Sequence, residues 1–178
     1  MQKGKTGSTP RTNAFLGKDI MEAIWSDMAV TELPSWVTDI PHNWGTMTGR
    51  KLSANNWRVI CTVHLPITLI RLWGGEDAPE DWTLKLQNFM DLSCAVQIAN
   101  LQSVSKQDIE LYEHYIRHYL VGLKSLYKLA KVKPIHHAAL HYGDTLRSFG
   151  PAHTHGAASY KRYVHFMQTQ NHNKKLGL

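Results

Sequence analysis

The chain is expected to be mostly α-helical, a helical bundle, and three observations predict it. Apolar residues recur at helical spacing over long stretches, and capping residues stand where those stretches open. Alternating strand patterns and Asn-Gly hairpin signals are missing.

The elements follow in chain order. Residues 1–17 begin "MQKGKTGSTPRTN", basic and rich in Gly, Ser and Thr, with no apolar centre for a secretory signal. They read as a flexible basic tail. The segment "TELPSWVTDIPHNWGT" reads as an extended, aromatic-rich lead-in. Ser53 is placed to cap a helix over "ANNWRVICTVHL", and Pro66 just beyond it predicts a kink or break. An interior proline costs a helix about 3 kcal/mol, because it lacks an N–H and its ring crowds the preceding turn. Asp81 is placed to cap "WTLKLQNFMDLSCAVQIANL".

The clearest helix spans 105–130, opened by Ser105 with Asp108 three residues on. Ile109, Tyr112, Ile116, Tyr119, Leu120, Leu123 and Tyr127 fall on one face, so this helix is expected to pack centrally. Glu113 and Arg117 are spaced for an i,i+4 ion pair on its other side. Pro134 suits the first turn of a helix over "IHHAALHYGDTLRSF", which Gly150 and Pro151 should end. A last helix is expected from about 160 to 170.

Length and composition narrow the class. A chain of 178 residues with 43% hydrophobic residues is most simply one domain, here 18–178, with a real core. Its net charge of +6 and isoelectric point near 9.3 suit an acidic partner such as nucleic acid. Cys61 and Cys94 are too few for a disulfide framework or an all-cysteine zinc site, which suggests a reducing compartment. The longest mostly apolar run, "VICTVHLPITLI", is too short and too interrupted to span a membrane. A soluble, intracellular protein is expected, with no small-molecule substrate.

Seven of the eleven histidines follow Pro134, which invites a zinc reading. His137 and His141 are spaced i,i+4, as are His114 and His118, but Ala138 stands where a zinc protease needs glutamate. A tight site also needs further ligands and partners that orient them. The histidines are therefore expected to be polar groups without metal. Ser159 and Cys61 stand in no nucleophile signature, and "LWGGED" lacks the Lys-Ser/Thr of a phosphate loop. In "CTVH", Cys61 and His64 at i,i+3 should share a helix face, and by that geometry alone they are a core thiol beside a core histidine.

Read in order, "LPSWV", "NWGT", "GRKLSANNWRVICTVHLPITLIRLWGG", "FGPAHTH", "SYKRYVHFM" and "NHNKKLG" resemble the C-terminal part of CACTA-type (En/Spm) DNA transposases, in the form common among fungal elements. The likeness runs over about 18–178. It implies a helical segment from an RNase-H-like enzyme, without its sheet, and a nuclear protein. The family's catalytic core uses two aspartates and a glutamate with divalent metal. A helical segment bearing Cys-x-x-His is inserted before the glutamate. Cys61 and His64 match that motif, and Gly150 and Pro151 match the family's Gly-Pro. Tyr160, Lys161, Arg162 and Tyr163 match its aromatic-Glu-Arg motif, with Lys161 where the glutamate usually stands.

That departure has a physical consequence. A two-metal site holds its cations with carboxylates, and a lysine puts a positive charge where a cation belongs. The repulsion is roughly 4 kcal/mol per unit-charge pair at about 4 Å and an effective dielectric near 20. The two aspartates belong to upstream strands, and the chain is expected to begin after them. The resemblance therefore implies a truncated, transposase-derived protein without catalytic residues or cofactor of its own, with His153 and His155 incidental neighbours of a disabled corner. Residual DNA contact is expected through Arg50, Lys51, Lys161, Arg162, Lys174 and Lys175. The alternatives are part of an active transposase completed by a missing upstream segment, and a protein-interaction or metal-binding helical module.

Overall fold

The computed structural model describes residues 16–37, 40–46, 49, 51–156 and 158–169 of the chain. Residues 1–15 of the expected tail lie outside them. Among the described residues there are helices and no strand, so the all-α class holds. No helix there is long and apolar enough to cross a membrane. The chain divides into two compact units, one ending at Asp77 and the other beginning at Ala78.

The first unit opens with α1, Lys18–Val30, a helix that the sequence reading did not anticipate. Its buried residues are only Ile24 and Met28, one turn apart, so the periodic signal is short. Ser53 then caps α2, Ala54–Val59, as expected. Its Oγ accepts from Asn56 N at 3.1 Å, while Asn56 Oδ1 accepts from Ser53 N at 3.0 Å.

A kink or break was expected at Pro66, and no break occurs. The helix widens into a π turn over Ile60–His64 and runs on as α3, Leu65–Trp73. Leu65 N donates to Ile60 O, five residues back. Widening the turn just ahead of Pro66 accommodates a residue that has no N–H and whose ring would press on the carbonyl four residues earlier. The core of this unit gathers Ile24, Ile40, Trp44, Ile60 and Leu69. Trp44 meets Trp57 edge-on at 5.8 Å and donates Nε1–H to Met28 Sδ at 3.2 Å, which anchors the non-helical lead-in. Arg71 on α3 donates from Nε and Nη2 to Asp27 Oδ2 on α1, at 3.1 and 2.9 Å.

The second unit is built on an antiparallel pair, α4 at Glu80–Ala99 and α5 at Lys106–Leu126. Asp81 is not the cap of α4; Pro79 holds that place, and Asp81 lies in the first turn bonded to Lys85. There its charge favours the helix N-terminus. Ser105 and Asp108 do form the reciprocal box that opens α5, at 3.2 and 2.8 Å. The helix stops at Leu126, short of the expected 130. Gly122 allows the close approach of α4, since an added Cβ would lie 2.9 Å from Asn88 Cγ. Asn88 Nδ2 spans the gap to donate to Tyr119 O at 2.8 Å.

The single helix expected after Pro134 is two, α6 at Pro134–Leu140 and α7 at Tyr142–Phe149. His141 ends α6 with φ −90° and ψ 0°, and its N–H bonds back to Ala138 and Ala139. The break lets both short helices lie on α5. Tyr112 OH donates to Ala139 O at 2.8 Å, and Leu146 joins Ala95, Ile109, Tyr112 and Ile116 in the core. Gly150 closes α7 at φ 74° and ψ −158°, a conformation essentially reserved for glycine. The short α8, Ala152–His155, and α9, Ala158–Thr169, complete the described chain.

Candidate nucleic-acid interface and the Cys61–His64 turn

Cys61 and His64 both lie in the π turn. With hydrogen bonds reaching five residues back, the turn holds more residues than an α-helical one, so the i,i+3 interval no longer marks a shared face. His64 is 4% exposed, and neither ring nitrogen has a hydrogen-bond partner among the described residues. Burial pushes its pKa down, so the ring is neutral at pH 7. Cys61 is half-buried, and burial pushes its thiol up to about 11, so it stays protonated. His64 also borders a cleft of about 260 Å³ lined by Met28, Pro34, Val37, Ile40 and His42. Among the described residues no group of three or more His, Cys, Asp or Glu is placed to hold a metal ion.

At the C-terminal corner, Gly150 turns the chain and Pro151 opens α8. Thr154 Oγ1 bridges the bend, at 3.0 Å from Phe149 O and 2.8 Å from Pro151 O. His155 packs into this bend. Its Nε2 lies 3.2 Å from Gly150 O, and its ring rests near Phe149 and Tyr142, at 6.0 and 6.5 Å between centroids. The corner is thus tied by its own side chains.

Tyr160, Lys161, Arg162 and Tyr163 fall in α9, and every residue from 161 to 169 is exposed. Lys51, also exposed, belongs to the first unit. Arg50, Lys174 and Lys175 lie outside the described residues. Within the second unit, Lys161 and Arg162 are neighbouring exposed cations on α9, and His165 lies one turn on. Helix α9 carries no acidic residue and also exposes Tyr163, Val164 and Phe166.

Two polar contacts were hidden in the sequence. Glu113 was expected to pair with Arg117 along α5, but it binds Arg147 of α7 instead, accepting from Nη1 and Nη2 at 2.5 and 2.8 Å. The hydrogen bonds from Arg147 hold the Glu113 carboxyl below its ordinary range, and the Arg117 charge adds only a smaller pull. Asp91, buried on α4, meets His118 of α5 at 2.7 Å. Each pair joins residues 27 or more positions apart, so no local spacing announces it.

Comparison of the chain with protein-family models, curated proteins and solved structures finds no match.

Proposed function

We propose that this chain derives from the C-terminal part of a CACTA-type DNA transposase, has no strand-cutting activity of its own, and contacts DNA through α9. The motif resemblance carries the family. The observation that carries the DNA contact is the exposed Lys161–Arg162 pair on a helix free of acidic side chains. Adjacent cations on such a surface meet phosphate oxygens without sequence preference, and the exposed aromatic rings beside them add contact area. Lys161 stands where the family places its metal-binding glutamate, so the same charge that opposes a catalytic cation favours a phosphate.

Binding of a labelled duplex is the test, measured over a range of salt. The full chain is expected to bind weakly and tolerantly, with log affinity falling linearly as log salt rises. Lys161→Ala with Arg162→Ala should weaken binding and flatten the salt slope by about 1 per cation removed. Magnesium or manganese should leave the duplex uncut. Binding unaffected by the double substitution would move the interface elsewhere. No binding at low salt would favour a protein-interaction role instead.

A further inference from the structure

The histidine pairs stand differently in space than in sequence. His137 and His141 straddle the end of α6, with rings edge-on at 4.7 Å, and His141 faces the exposed Asp144 at 3.8 Å. His114 and His118 instead lie within the long α5, both exposed, with rings nearly parallel at 5.9 Å. Only the second pair has a buried carboxylate behind it. Asp91 is 3% exposed, and its Oδ2 lies 2.7 Å from His118 Nδ1 while Gln87 Nε2 reaches its other oxygen at 3.4 Å.

With the Asp91 oxygen as acceptor of this bond, Nδ1 of His118 is the donor and carries the proton. The lone pair of a neutral ring is then left on Nε2, at an exposed position. This is the arrangement that fixes a metal-binding imidazole: one nitrogen held by a carboxylate, the other free to ligate. His114 lies one turn back on the same helix face, with its exposed ring beside Tyr115 and His118 and in no hydrogen bond among the described residues.

We propose that His114 and His118 bind a first-row divalent cation that favours imidazole, such as Zn²⁺ or Ni²⁺, with Asp91 as the positioning residue for His118. Two protein ligands leave coordination positions for water or for a ligand from another molecule. None of these residues is in α9, so the site and the DNA contact stand or fall separately.

Calorimetric titration of the full chain with Zn²⁺, and separately with Ni²⁺, tests the site. One saturable equivalent is expected, with the His118 ring signals shifting in NMR spectra. His114→Ala touches no hydrogen bond and leaves the fold intact, and it should lower affinity at least about tenfold by removing one of two ligands. His118→Ala should remove the binding. Asp91→Asn, checked for folding by circular dichroism, should weaken it about 10–100-fold. His137→Ala and Cys61→Ser should change nothing. Binding unchanged in His114→Ala, binding lost in His137→Ala or Cys61→Ser, or no saturable binding at all would each overturn the site. Undiminished affinity in Asp91→Asn would overturn the part given to the carboxylate.

Discussion

Glu113 shows how one side chain couples helices that sequence spacing does not connect. Arg147 grips it from α7, and Gly143 leaves the room, because a Cβ there would press on the Glu113 side chain. The Glu113 carboxyl is held below its ordinary value of 4.5, so the folded state favours its ionised form. Its contribution is fully present above that ordinary value and is lost as pH falls through the lower folded one. Glu113→Gln should therefore reduce stability at pH 7, and the difference from the parent chain should shrink as the pH drops below about 4.5. Urea titrations at several pH values read this directly. A difference that stayed constant down to pH 3 would show that the ion pair contributes nothing. The pair is partly exposed, with side chains 42% and 27% accessible, so a modest effect is expected.

At the scale of the element, α5 organises the second unit. The whole predicted face turns inward, but unevenly: Ile109, Tyr112 and Ile116 are buried, while Leu123 and Tyr127 are only half-buried. The cause is the partner. Helices α6 and α7 cover the first half of α5, and beyond Gly122 the helix is close to its end. Ile116→Ala should cost about 3 kcal/mol, and Leu123→Ala about 1, since the cavity term requires surroundings that cannot collapse. Equal losses in urea denaturation would show that the face is buried evenly along its length. The π turn makes the corresponding point in the first unit. Pro66 leaves the helix unbroken because the preceding turn changes register, and that places Ile60 and His64 in the core.

For the molecule as a whole, the consequence lies in its two cores. Trp25, Trp36, Trp44, Trp57 and Trp73 precede Ala78, and Trp82 alone follows it. In a Trp82→Phe background, tryptophan fluorescence reports the first unit only. Ile116→Ala should then lower the midpoint seen by circular dichroism and leave the fluorescence midpoint in place, because each unit has its own buried cluster. If both probes shifted together, the units would be unfolding as one.

By itself the sequence determined what depends on neighbours along the chain. The all-α class follows from apolar periodicity, and the helix starts at Ser53, Ser105 and Pro134 follow from hydrogen bonds and backbone limits within four residues. The glycine corner at Gly150 belongs here too, because its backbone angles exclude other residues. Tertiary structure alone decided the rest. It chose the helix at Lys18–Val30, the widened turn before Pro66 and the break at His141, where packing outweighs local preference. It also set Arg147 against Glu113 and Asp91 against His118, which turned an ordinary i,i+4 histidine pair into a candidate metal site. Hydrogen bonds and charges act over ångströms in space, and the chain brings those partners together only after its helices have packed.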